Sequence, residues 1–191
     1  MGEVDAIAPR PWSTVWPLVA RGGLTLVFGV VTLLLLVLAI LMPGIVAGLL
    51  LVVFAAFVLL DACLGIGLLL FAHGARGDRL HLLARTIVSL GISLAAFAGP
   101  IVAGRPWERL ATLVSVWAVL NGLLDVAAGS GLAGSPRQRW QMILGAASLG
   151  LGAILLAWPP GMIALTCWIV AFSAAYGVVT VVNALRSVRF Y

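Results

Sequence analysis

Six apolar stretches follow one another along this chain, separated by short segments that carry proline, glycine or charged residues. Each stretch is close to the roughly 20 residues that an α-helix needs to cross the hydrocarbon core of a bilayer. The chain is 63% hydrophobic and 9% charged, whereas soluble domains carry about 25% charged residues. The sequence therefore predicts an all-α, polytopic membrane protein with six transmembrane helices.

The spans are predicted at about residues 18–41, 45–71, 82–98, 110–128, 140–158 and 162–185. Residues 1–15 are predicted to be a short cytoplasmic tail, and residues 16–191 a single membrane domain. We interpret His73 and His81 as solvated residues of the polar loop after the second span. Residues 99–107 are interpreted as the corner before the fourth span, with corners also at Pro43 and Pro159.

The arginines predict the orientation, because cytoplasmic segments carry an excess of basic residues. The side that holds both termini and the polar loops carries Arg10, Arg21, Arg76, Arg79, Arg85, Arg137, Arg139, Arg186 and Arg189, against Arg105 and Arg109 on the other. Both termini are therefore predicted in the cytoplasm. Arginine without lysine, together with abundant glycine, indicates a GC-rich, bacterial genome. The net charge of the chain follows from the predicted topology, so no nucleic-acid partner is predicted.

The spans group into three similar hairpins, at about residues 16–72, 80–129 and 138–185. The leading helices of the first and third hairpins share a seven-residue glycine spacing, Gly22 to Gly29 and Gly145 to Gly152. Small residues let helix backbones approach closely in a membrane. These four glycines are therefore predicted to be helix-packing residues.

The second helix of each hairpin also carries a recurring feature. A polar residue precedes a small one at Asp61, Asn121 and Tyr176. The middle hairpin departs from the pattern in its leading helix, where Thr86 and Ser93 stand in place of glycines. Recurrence at a fixed period indicates a repeated structural unit, so the fold is predicted to be three helical-hairpin repeats.

A set of glycine, proline and aromatic residues recurs across the three hairpins, namely Trp16, Gly22, Phe28, Gly29, Pro43, Gly91, Pro100, Trp140, Gly145, Gly152, Pro159, Tyr176 and Gly177. This arrangement resembles the HdeD-type acid-resistance membrane protein family. The resemblance implies a bacterial inner-membrane protein linked to acid or other stress, and it implies no mechanism for named residues.

Ionisable residues inside spans are costly and are functional candidates by default. Arg21 and Asp61 lie on neighbouring predicted helices at depths that differ by only about 6 Å at 1.5 Å per residue. Arg85 and Asp125 have a similar relation in the second hairpin, and the third hairpin lacks both charges. We predict two intramembrane ion pairs, Arg21–Asp61 and Arg85–Asp125. The favoured role is to fix helix register; the alternatives are a proton-responsive element, in which a neutralised Asp frees its Arg, and a transport path.

No catalytic, cofactor or metal site is predicted, because no His, Asp or Glu residues have metal-ligand spacing and no serine has a His–Asp companion. The mid-span Trp117 and Trp168 are interpreted as packing residues in preference to cavity-lining ones. We expect a non-enzymatic stress component in the lipid bilayer, with a homo-oligomer or a membrane-protein partner left open. The alternative is a small transporter or substrate-binding membrane subunit, which a ligand-sized polar cavity containing Asp61 would favour.

Overall fold

The computed structural model describes residues 12–71, 76–98, 106–130, 136–158 and 161–189, which contain six α-helices and no strand. This confirms the predicted all-α fold with six helices, whereas the grouping into hairpin repeats stays a prediction. The helices are α1 (Trp12–Ala39), α2 (Pro43–Phe71), α3 (Arg76–Phe97), α4 (Pro106–Gly129), α5 (Pro136–Ala157) and α6 (Met162–Arg189).

Each helix contains a segment of 19 to 26 residues that is long and apolar enough to cross a membrane. Large apolar side chains cover the outside of the bundle, as shown by Leu34 at 66% and Leu70 at 72% exposure. Such extensive apolar surface marks contact with lipid or another apolar partner. The chain is therefore a multi-pass integral membrane protein in contact with the bilayer.

Several helices begin before their predicted apolar spans. His81 lies inside α3, so its interpretation as a loop residue is wrong. Pro106 and Trp107 begin α4 and do not belong to a corner. Hydropathy marks only the part of a helix that crosses lipid, and the helix continues into the polar region beyond it. Proline is well placed at a first helical position, where its missing N–H costs no hydrogen bond.

The connection between α1 and α2 is tight, as the sequence predicts for the corner at Pro43. The Met42 N–H donates to the Leu38 carbonyl at 3.0 Å, and the Val46 N–H donates to the Met42 carbonyl at 3.2 Å. Other predicted features lie outside the described residues, namely residues 1–11, His73, Pro100, Arg105, Pro159 and residues 131–135 of the connection between the fourth and fifth predicted spans.

The helices form a bundle in which α1 to α5 pack in chain order, α6 returns to pack on α1, and α2 also contacts α4. The most extensive interfaces are α4–α5, α1–α6 and α2–α3. Within the described residues, α5 and α6 barely contact each other although they are consecutive. We call the boundary between α5 and α6, where few residues are in contact, the α5–α6 seam.

The α4–α5 interface depends on residues without a side chain. A Cβ placed on Gly145 would lie 2.9 Å from the Gly122 carbonyl oxygen and 2.8 Å from the Val126 nitrogen. A Cβ on Gly152 would lie 2.8 Å from the Ser115 carbonyl oxygen. Since these neighbours are backbone atoms, neither position accepts a larger residue without separating the helices.

The α1–α6 interface has the same character. A Cβ on Gly22 would lie 3.2 Å from the Gly177 carbonyl oxygen, and one on Gly29 would lie 3.1 Å from the Ser173 Cβ. All four glycines that the sequence marks for packing therefore lie at helix–helix contacts, in two different interfaces. Close backbone approach of this kind supplies van der Waals contact where lipid leaves little hydrophobic drive for association.

The α2–α3 interface compensates for larger residues on its leading helix. Thr86 stands where the other leading helices carry glycine, and its side chain occupies the space left by Gly65 of α2. The Ser93 hydroxyl donates to the Ala55 carbonyl of α2 at 3.2 Å. In this interface the small residue, Gly65, lies on the second helix of the pair instead of the first, and the Ser93 hydroxyl adds an interhelical hydrogen bond.

Aromatic rings fill the centre of the bundle between α1, α2 and α4. Phe28 stacks on Phe57 with ring centroids 4.3 Å apart. Trp117 meets the rings of Phe54 and Phe57 edge-on at 6.1 Å and 5.8 Å. Offset stacking and edge-to-face contacts are the favourable arrangements for aromatic pairs. This cluster fixes one wall of the site described next.

Candidate functional site

A cluster of charged side chains lies in the half of the bundle that holds the start of α1 and the end of α2. Arg21 of α1 donates to Asp61 of α2 through Nε and Nη2, at 2.6 Å to Oδ1 and 2.8 Å to Oδ2. The Asp61 side chain is 3% exposed and that of Arg21 15%. Two parallel bonds orient the guanidinium on the carboxylate. The structure thus brings the first predicted pair together.

The second predicted pair also meets, between α3 and α4. Arg85 Nη1 lies 2.9 Å from both carboxylate oxygens of Asp125. Both side chains are buried. A lone charge here would carry a desolvation cost of several kcal/mol. Each charge therefore depends on its partner to offset the cost of its burial inside the bundle.

The two pairs form one continuous cluster. Arg85 Nε lies 4.0 Å from Asp61 Oδ2, and the Ser89 hydroxyl donates to the same oxygen at 3.0 Å. The sequence prediction treated the pairs as separate and interpreted Ser89 only as a small residue whose hydroxyl bonds its own helix or a neighbouring one. Ser89 follows Arg85 by four residues, which places both on one face of α3. The spacing shows that Arg85 and Ser89 share a face, and only the packing of α3 on α2 brings that face to Asp61.

His81 extends the cluster at its outer edge. It lies one turn before Arg85 on α3, and its Nε2 is 3.4 Å from Asp125 Oδ1 without hydrogen-bond geometry. Its side chain is 22% exposed, so it connects the buried charges to the surroundings of the bundle. The loop interpretation missed this contact because it separated His81 from the helical face of Arg85.

Two predicted repeat positions, Asn121 and Tyr176, lie beside the cluster. Arg85 Nη2 is 3.4 Å from the Tyr176 hydroxyl on α6, which accepts its hydrogen bond. The Asn121 amide Nδ2 donates to the Trp117 carbonyl at 3.0 Å within α4. The Asn121 Oδ1 atom is buried and has no hydrogen-bond partner.

A cavity of about 40 Å³ adjoins these residues. Asp61, Arg85 and Asp125 form part of its lining, and the remaining wall is largely aromatic and aliphatic. Trp117 and Trp168 both line it. The sequence interpretation favoured packing for these tryptophans; Trp117 does pack on the central rings, but both also face the cavity.

The charges of the cluster balance, with two arginines against two aspartates. Arg21 and Ser89 occupy the oxygens of Asp61, and Arg85 occupies those of Asp125. Both carboxylates accept hydrogen bonds from side chains of the protein itself, so the cluster connects helices α1 to α4. Within the residues that the structure describes, no group of three or more His, Cys, Asp or Glu side chains could hold a metal ion.

Five of the residues on which the resemblance to the HdeD-type family rests have a defined place in the structure. Gly22, Gly29, Gly145 and Gly152 lie at helix–helix contacts, and Tyr176 lies beside the charged cluster. These placements describe packing and contacts and carry no family assignment by themselves. Comparison with protein-family models, with curated proteins and with solved structures gives no match.

Proposed function

We propose that this chain is a non-enzymatic component of acid or general stress resistance in the bacterial inner membrane, similar to the HdeD-type family, with both termini in the cytoplasm. Its role is structural or regulatory. The supporting observation is the continuous, buried cluster of Arg21, Asp61, Arg85 and Asp125, which connects four helices through paired charges.

The contacts of the cluster favour a holding role over a direct chemical one. Both carboxylates already accept hydrogen bonds from arginines, so neither is free to take up a substrate or to act as a base. Removing one partner of a buried pair leaves an uncompensated charge and costs about 3–5 kcal/mol. The cluster is therefore suited to hold the bundle, or to release it when an aspartate is neutralised.

An acid-survival assay tests the proposal and separates its two forms. A strain that lacks the gene is complemented with wild type, with Asp61→Asn, and with the double variant Asp61→Asn/Arg21→Gln. A holding role needs only balanced charge, so the single variant is expected to lose protection and the double variant to recover it. A proton-responsive role needs the carboxylate itself, so both variants are expected to lose protection.

Membrane levels of every variant are measured alongside survival, so that loss of the protein is distinguished from loss of its activity. Arg109→Gln serves as the matched control, because Arg109 lies outside the cluster and its Nη2 donates to the Ala95 carbonyl at 2.5 Å. Equal acid survival with and without the gene, at normal expression of the wild type, contradicts the acid-resistance proposal.

A small transporter or substrate-binding membrane subunit is the second candidate. The observation in its favour is that Asp61 lines an internal cavity. The volume of about 40 Å³ is far below the roughly 300–1,000 Å³ of pockets that enclose drug-sized ligands. The carboxylates of Asp61 and Asp125 already accept hydrogen bonds from arginines, which also argues against substrate binding there. We therefore rank this function second.

A further inference from the structure

Three residues that line the cavity carry a buried polar atom without a hydrogen-bond partner in the described structure, namely Trp117, Asn121 and Arg85, whose Nε lies 4.0 Å from Asp61 Oδ2. The Trp117 Nε1 atom, a donor, and the Asn121 Oδ1 atom, an acceptor, are both buried without a hydrogen bond. Both residues line the cavity. A buried polar group without a partner costs about 1–3 kcal/mol, so an unpaired donor and an unpaired acceptor at one cavity indicate a site for a polar group.

The donor and the acceptor lie one helical turn apart. Residues four positions apart on a helix have Cβ atoms about 5–6 Å from each other, which places both side chains on the same face of α4. The orientation of the Asn121 amide follows from its Nδ2 bond to the Trp117 carbonyl, which leaves Oδ1 as the free atom. A hydroxyl group matches this pair, because it accepts one hydrogen bond and donates another.

The surroundings select a neutral ligand. The charged residues of the cavity wall, Asp61, Arg85 and Asp125, belong to the balanced cluster and contact each other. A ligand with a net charge would meet both signs and would lose its hydration without gaining a free counter-ion. The rest of the wall is aromatic and aliphatic, including Phe172 and Leu155, which suits an apolar body.

The α5–α6 seam provides a route from the bilayer. Helices α5 and α6 both contribute to the cavity wall but barely contact each other. Trp168 of α6 lines the cavity and is also 52% exposed on the outside of the bundle. This side chain therefore reaches from the cavity to the outer surface, where apolar residues face lipid.

We propose that the cavity binds the hydroxyl end of an apolar alcohol from the lipid phase, with the hydroxyl between Trp117 and Asn121 and the chain leaving through the α5–α6 seam. A cavity of about 40 Å³ has room for roughly three water molecules. It holds the hydroxyl and the first carbons, while a longer chain lies in the seam. The two residues assigned to the hydroxyl, Trp117 and Asn121, do not belong to the charged cluster on which the proposed role in acid resistance rests.

Indole NMR in lipid nanodiscs tests the proposal directly. The protein is labelled with ¹⁵N at the tryptophan indoles, and the Trp117 signal is identified as the one missing from Trp117→Phe. The probe is 1-octanol, which exceeds the cavity in length and can bind only with its chain in the seam. We expect a saturable shift of the Trp117 signal, because its N–H gains an acceptor.

Matched probes and variants establish which group is recognised. Substituting 1-chlorooctane, which keeps the chain but lacks the hydroxyl, is expected to give no saturable shift. Asn121→Leu removes the acceptor and is expected to weaken 1-octanol binding by about 3- to 10-fold, the effect of one lost hydrogen bond. Thr112→Val, on an exposed side of the same helix, is expected to bind as wild type.

Three outcomes overturn the proposal. A shift that rises linearly with 1-octanol and is matched by 1-chlorooctane shows partition into lipid only. Absence of any shift shows that the cavity holds water only. Unchanged affinity in a folded Asn121→Leu variant, judged by its remaining indole signals, removes the assigned acceptor. The survival assay and this titration have separate readouts, so the failure of one leaves the other intact.

Discussion

Asp61 shows how strongly a carboxylate inside a membrane span depends on its neighbours. Its two oxygens accept hydrogen bonds from Arg21 and Ser89, and Arg85 lies 4.0 Å away. These donors come from α1 and α3, so one residue of α2 connects three helices. A change at this position is expected to affect the packing of all three.

The stability of two variants measures this dependence. Asp61→Asn is expected to lower the free energy of unfolding by about 3 kcal/mol, because the partly buried Arg21 keeps its charge without its partner. The double variant Asp61→Asn/Arg21→Gln is expected to lie within about 1 kcal/mol of wild type, since paired removal restores the charge balance. Unfolding by SDS in mixed micelles provides the measurement. Equal losses in both variants would show that charge balance is not what Asp61 supplies.

At the scale of helices, small residues decide which pairs approach most closely. Gly122 faces Gly145 between α4 and α5, and Gly22 faces Gly177 between α1 and α6. Within the described residues, the α5–α6 seam shows no comparable glycine contact, although the two helices are consecutive in the chain. Chain neighbours therefore need not be packing neighbours, and the seam remains available to a ligand.

Two glycines of α5 allow a matched test of this packing. Gly145→Ala is expected to destabilise the protein by about 1–3 kcal/mol, because its new Cβ meets backbone atoms of α4. Gly150→Ala places a Cβ where nothing lies within 4 Å, so it is expected to be neutral or slightly stabilising. The same SDS unfolding assay compares the two variants. A similar loss in both would assign the effect to α5 itself and not to its contact with α4.

At the scale of the whole molecule, an even number of spans places the start of α1 and the end of α6 on the same side of the membrane. The arginine distribution predicts that this side is the cytoplasm. The charged cluster lies in the same half of the bundle. In that orientation, His81 is the member of the cluster that lies toward the cytoplasm.

Reporter fusions test the orientation. Alkaline phosphatase is active only outside the cytoplasm, and a fluorescent protein folds well only inside it. We expect fluorescence without phosphatase activity from fusions at either terminus. The corner near Pro100 provides the control, since a phosphatase inserted there is expected to be active. Phosphatase activity at both termini would reverse the predicted orientation, and activity at one terminus alone would contradict six spans.

The sequence by itself determined the six helices and the membrane as their solvent, because the thickness of a bilayer sets a length that apolar residues reveal along the chain. It also predicted which charges share a depth, since a helix advances by a constant rise per residue. The link from Arg85 to Asp61, the place of His81 and the cavity at the α5–α6 seam came only from the tertiary structure. These features depend on how each helix is rotated about its axis and on which helices become neighbours, and neither is encoded in spacing along a single chain.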